Sequence, residues 1–209
     1  MKKKFILLIT LTIIYSCSSS KALIDGLKYF DEDYSQITKS KFNRIKHSKF
    51  LLNIEGDSIH HRLLSKREEK GKLNNHSEFI STLEKEFNTT LHNQEAILII
   101  YYPGKDPCNS GGTATYESMA YWHYKMQEGL KQILPTKTLL VFKNREGLTK
   151  REKIGNWKKD PKGIVEKTFF KYHYPCSSFV MISQNGSYIS HFGEFAKKQV
   201  WNVARELSK

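Results

Sequence analysis

Ala96-Ile97-Leu98-Ile99-Ile100-Tyr101-Tyr102 is an unbroken run of apolar and aromatic residues, and Pro103-Gly104 stops it. A run this short, rich in β-branched residues and closed by a turn pair, reads as a strand buried on both faces. Both faces can be covered only if helices lie on each side of the sheet. The chain is therefore expected to fold as an α/β domain in layers.

The flanking segments supply those layers. Ser77-Glu78-Phe79-Ile80 opens a helix with Ser77 as its expected N-cap and with Phe79, Ile80, Leu83 and Phe87 on one face. Residues 116–134 read as the longest helix, closed by Pro135, and residues 138–143 as a second core strand. Residues 144–163 are charged and broken by glycine, an exposed excursion, and residues 163–172 form a short helix. Two strands then flank Asn185-Gly186, the signature of a type I′ hairpin. A final helix carries Phe195, Val200, Val203 and Leu207 on one face. A hairpin after alternating helices and strands adds an antiparallel edge to a mostly parallel sheet, so the central sheet is expected to be mixed. Residues 21–75 are lysine-rich and patchily apolar: one strand is expected at Lys49–Glu55, a loop or frayed helix at residues 60–76, and His60-His61 in solvent.

The N-terminus has its own logic. Met1-Lys2-Lys3-Lys4 precedes an apolar stretch, Phe5 to Ile14, that is too short to span a bilayer, the pattern of a secretion signal. Ile14-Tyr15-Ser16-Cys17, followed by Ser18-Ser19-Ser20, resembles the lipobox of bacterial lipoproteins. That resemblance implies cleavage after residue 16 and a lipidated Cys17 anchoring the chain to a membrane of the cell envelope. Ser18 after the cysteine, in place of an acidic residue, resembles sorting to the outer membrane. The expected division is a signal peptide at 1–16, a tether and N-terminal extension at 17–48, and one domain at 49–209.

Removing residues 1–16 takes away three lysines and no acid, lowering the formal net charge from +13 to +10. Such a surface suits a protein held beside anionic headgroups. Export and the lack of a zinc-finger or RNP-like motif argue against nucleic acid as partner, leaving the membrane and an envelope protein. Neither a catalytic triad nor a paired-carboxylate spacing stands out, and Gly111-Gly112 lacks a P-loop continuation. No cofactor is implied.

From residue 76 to 209 the order of elements resembles the thioredoxin fold, a three-layer sandwich with helices on both faces of a mixed sheet, and the strand at Lys49–Glu55 is a candidate for its first strand. Ile97-Leu98-Ile99-Ile100-Tyr101-Tyr102-Pro103-Gly104-Lys105-Asp106-Pro107-Cys108 resembles the family's core strand leading to its active-site loop. Residues 174–209 resemble its closing segment: a proline, a strand, an Asn-Gly turn, a return strand and a helix. The family's motif is Cys-x-x-Cys; Cys108 here falls on the second cysteine and Lys105 on the first. The family's proline is cis and faces those cysteines. Pro175, with Tyr174, is the candidate for that substrate-facing loop, though it stands two residues from the expected position and X-Pro bonds are mostly trans.

Outside the cytosol an even number of cysteines invites pairing, and Cys108 and Cys176 are the two left once Cys17 carries lipid. Three readings follow. The absence of Cys-x-x-Cys favours a degenerate domain, its two sulfurs paired, with a binding or structural role. The alternative is a thiol-disulfide oxidoreductase in which Cys108 attacks and Cys176 resolves, with Lys105, His173 and Tyr174 as candidates for lowering the thiol pKa or moving a proton. The third is copper or zinc held by Cys108, Cys176, His173 and His191.

Overall fold

The computed structural model describes residues 26–91, 96–149 and 151–209, so the expected signal peptide and Cys17 lie outside the described residues. The N-terminal part forms β1 (Tyr29–Phe30), β2 (Gln36–Ile37), α1 (Lys39–Ile45), β3 (Leu51–Glu55) and β4 (Arg62–Lys66). These strands make a sheet of their own in the order β2-β1-β4-β3. The remainder forms β5 (Glu68–Lys72), α2 (His76–Phe87), β6 (Ala96–Tyr102), α3 (Pro107–Ser110), α4 (Tyr116–Lys131), β7 (Thr136–Phe142), β8 (Trp157–Lys159), α5 (Ile164–Phe169), β9 (Ser178–Ser183), β10 (Ser187–His191) and α6 (Lys197–Leu207).

The larger sheet runs β5-β10-β9-β6-β7-β8. β6, β7 and β8 are parallel; β9 is antiparallel to β6, β10 to β9, and β5 to β10. All of β6 is buried, as the apolar run requires. Its alternate residues serve two cores. Ile97, Ile99 and Tyr101 pack with Phe79, Ile80 and Leu83 of α2 and Val165 and Phe169 of α5. Leu98 and Ile100 pack with Met126 and Leu130 of α4 and Val200, Val203 and Ala204 of α6. Phe30, Leu52, Ile54 and Leu63 of the smaller sheet join the first core, so the two sheets share one interior. Close approach seals the second core: a side chain at Gly129 would meet the Trp201 ring at 2.5 Å, and that indole donates to the Met126 carbonyl at 3.0 Å.

Five expectations need correcting. The strand foreseen at Lys49–Glu55 exists as β3, but it belongs to the smaller sheet and is not the first strand of the large one. Residues 60–76, expected to be a loop or frayed helix, contain β4 and β5; β5 is fully exposed and is fixed by its ladder to β10, a bond pattern that leaves no apolar trace in sequence. The helix α2 starts at His76 with Asn75 at the N-cap position, so Ser77 is inside it. The hairpin is not type I′. Only Gly186 (φ +83°) is left-handed there, Asn185 is not, and the Gly186 N–H donates to the Ser183 carbonyl at 2.9 Å. This is a three-residue loop, a tight turn followed by a left-handed glycine. His60 is also less solvated than expected: its ring bonds Asp57 and packs edge-on against Phe30 and Tyr34. Among the described residues no helix is long and apolar enough to cross a membrane.

Candidate functional site

β6 delivers the chain to Pro103–Asp106, and there a small polar lattice takes over. The Asp106 carboxylate accepts from the Asn109 N–H at 2.8 Å, while the Asn109 side chain accepts from the Asp106 N–H at 3.0 Å, a reciprocal capping box. Asn109 Nδ2 also donates to the Gly104 carbonyl at 2.7 Å, and the Tyr102 hydroxyl donates to the Glu146 carbonyl at 2.9 Å. Pro107, whose missing N–H costs nothing at a first helical position, starts α3. Cys108 is its second residue and is exposed.

The opposing loop, residues 170–177, is organised by burial. Phe170 stacks on Tyr101 with ring centroids 4.7 Å apart, and Tyr174 stacks on Phe192 at 4.3 Å. Tyr174 is 6 % exposed, and burial pushes its hydroxyl up to about 12. The tyrosine is a core residue. No peptide bond among the described residues is cis, so the bond before Pro175 is trans, the default for such bonds. Cys176 then takes a left-handed conformation, φ +68°, that non-glycine residues rarely adopt. Its N–H donates to Asp106 Oδ2 at 2.9 Å, and His173 Nε2 lies 3.3 Å from the same oxygen. Asp106 thus ties the two loops together.

Across this junction Cys108 and Cys176 form a disulfide, with Cα atoms 5.1 Å apart and a sequence separation of 68. That spacing lies within the ordinary range for such bonds. The two sulfurs differ in access: Cys108 is exposed, while Cys176 is only 9 % exposed. The bond opens onto a cleft of about 470 Å³ whose walls include Met119, Trp122, Trp157 and Phe195. His123 and Arg151 also line it. Burial, reinforced by the Arg151 cation, pulls the His123 imidazole down to about 4. His123 is therefore neutral at physiological pH, and Arg151 carries the charge on that wall.

The other anticipated residues fall elsewhere. Lys105 is exposed, its ammonium 3.7 Å from a Glu146 carboxylate oxygen. His191 is buried, stacked on Phe179, with Nδ1 3.3 Å from Glu68; burial pulls its pKa down against the opposing pull of Glu68. The structure therefore brings Cys108, Cys176 and His173 to one junction and leaves His191 in the core. Two residues escaped the sequence reading. Asp106 had a signal, since Asp-Pro before a short helical turn is an N-cap pattern. Glu194 had none: it follows Phe192-Gly193 after β10, and its carboxylate comes within 4.8 Å of both sulfurs.

No family model, curated protein or solved structure matches this chain.

Proposed function

We propose that this chain is a lipid-anchored envelope protein whose thioredoxin-like domain carries an exchangeable Cys108–Cys176 disulfide. The fold assignment is supported by the strand order β10-β9-β6-β7, by the parallel pair β6 and β7 joined through α4, and by the closing hairpin followed by α6. One observation carries the chemistry: of the two sulfurs, the one at the second position of a helix is exposed at the mouth of an apolar cleft, and its partner is covered.

A thiolate of a substrate bound in the cleft attacks Cys108 Sγ, forming a mixed disulfide and releasing Cys176 as a thiolate that takes up a proton. A second substrate thiol attacks the mixed disulfide, so one substrate disulfide leaves and both cysteines end as thiols. The reverse sequence oxidises the protein. Helix N-terminal position favours the Cys108 thiolate as leaving group in this second step.

A binding domain with a permanent bridge is the second reading. What favours it is Asp106, which already joins the loops and would hold the bridge in place. Equilibration in graded glutathione buffers, with mass spectrometry of trapped thiols, separates the two. Opening between roughly −120 and −270 mV supports exchange, and resistance below about −300 mV overturns it. For the anchor, labelled fatty acid should be incorporated by the full chain and lost with Cys17→Ala.

A further inference from the structure

When the disulfide opens, the two sulfurs face a third donor. A carboxylate oxygen of Glu194 lies with both sulfur atoms in one group spanning no more than 4.8 Å. In a chain with a net charge of +13, an acid finds cations easily, yet the Glu194 side chain makes no ion pair or hydrogen bond among the described residues. It is held in place through its backbone. The Gly193 N–H donates to Ser178 Oγ at 3.0 Å, and a side chain at Gly193 would sit 3.4 Å from the Pro175 carbonyl, so this turn rests on the loop that carries Cys176. Three donors from three separate loops converge at a cleft mouth, with Cys108 and Glu194 exposed on the entry side.

We propose that the reduced protein binds one zinc ion through Cys108, Cys176 and Glu194, and that the disulfide is the metal-free form of this site. A dithiol reductant gives two thiols and becomes a disulfide itself. Zinc then displaces one proton from each thiol, two Zn–S bonds form, and a Glu194 oxygen binds third; water from the cleft completes the tetrahedron. Zn–S bonds of about 2.3 Å in a tetrahedron set the sulfurs roughly 3.8 Å apart, a small opening from bonded contact that side-chain rotation supplies. Two thiolates with one carboxylate is a borderline donor set, which suits zinc better than copper(I), whose preference is for sulfur alone. His173 and His191 are not needed: one is turned to Asp106 and the other to Glu68. The metal also quenches the repulsion that a carboxylate beside two thiolates would create.

The inference rests on the exchange reading in one respect only, that the pair can be opened. Chemical reduction with a phosphine, followed by its removal, meets that requirement whatever the reduction potential is. Zinc competition against a chromophoric chelator is expected to show one equivalent per chain for the reduced protein and none for the oxidised. Cobalt(II), as probe, should give sulfur-to-metal charge-transfer bands and intense tetrahedral ligand-field bands. Glu194→Gln, an exposed position whose fold circular dichroism can check, should weaken zinc binding by at least about tenfold, since even residues one step removed from a metal cost that much. Cys108→Ser should abolish the charge-transfer bands. Equal zinc affinity in Glu194→Gln and the native chain, or a pale octahedral cobalt spectrum, overturns the site. Either result leaves the glutathione titration to judge exchange on its own.

Discussion

The two loops joined by the disulfide keep their shape by opposite means. Residues 103–110 are held by hydrogen bonds among Asp106, Asn109, Gly104 and Tyr102. Residues 170–177 are held by aromatic stacking in the core, through Phe170 on Tyr101 and Tyr174 on Phe192. Local hydrogen bonds do not depend on the bridge, so reduction should leave the first loop formed and Cys108 presented. Burial likewise keeps Cys176 covered. The difference gives the pair a direction, with substrate entering at Cys108 and Cys176 closing the bridge when the protein is re-oxidised.

Several variants would break or sharpen this contrast. The largest effect should come from Phe170→Ala, at 1 % exposure, costing about 3–5 kcal/mol in urea unfolding. Pro107→Ala in the other loop should cost far less, and similar losses for the two would end the contrast. Cys108→Ser and Cys176→Ser each remove the cross-link and should cost roughly 2–4 kcal/mol, about equally, if the bridge acts through the unfolded chain. A much larger loss for Cys176→Ser would mean that its side chain packs for stability beyond the bond.

Acid should act through His123. Its folded pKa, about 4, lies below the unfolded 6.5, so the unfolded chain takes the proton first and stability falls as pH drops from 6.5 toward 4. The loss from this group should approach roughly 2–3 kcal/mol, from a shift worth about 1.4 kcal/mol per unit, and His123→Gln should remove that part while leaving the part due to buried His191. Asp106→Ala strips partners from the Asn109 and Cys176 N–H groups and should cost about 1–3 kcal/mol, with faster alkylation of Cys176 after reduction. His173→Ala, which removes a half-exposed ring 3.3 Å from Asp106 Oδ2, should cost less than about 1 kcal/mol.

What the sequence disclosed follows the same physics. β6, β7 and β9 were legible because burial on both faces writes a continuous apolar run, and α2 and α6 because one buried face writes a helical period. β5 was illegible, since Glu68-Glu69-Lys70-Gly71-Lys72 carries no apolar residue and is held by its ladder to β10 and by polar contacts such as Lys70 to Glu206. The hairpin's position was visible in Asn185-Gly186, but its type was not, because the same dipeptide also serves a three-residue loop when only the glycine turns left-handed. At the site, Cys108 and Cys176 were found by counting. Glu194 was hidden because only the packing of Gly193 against the Pro175 loop brings it near them.

The exposed charges of β5 have a consequence beyond the fold. A sheet that ends in open backbone groups invites a neighbouring chain to add a strand. One border of the large sheet is β5, which presents charged side chains along its length, and the other is β8, a strand of three residues. Neither offers a long apolar template, so the molecule can be crowded at high local density and its large sheet will still refuse to fuse with another.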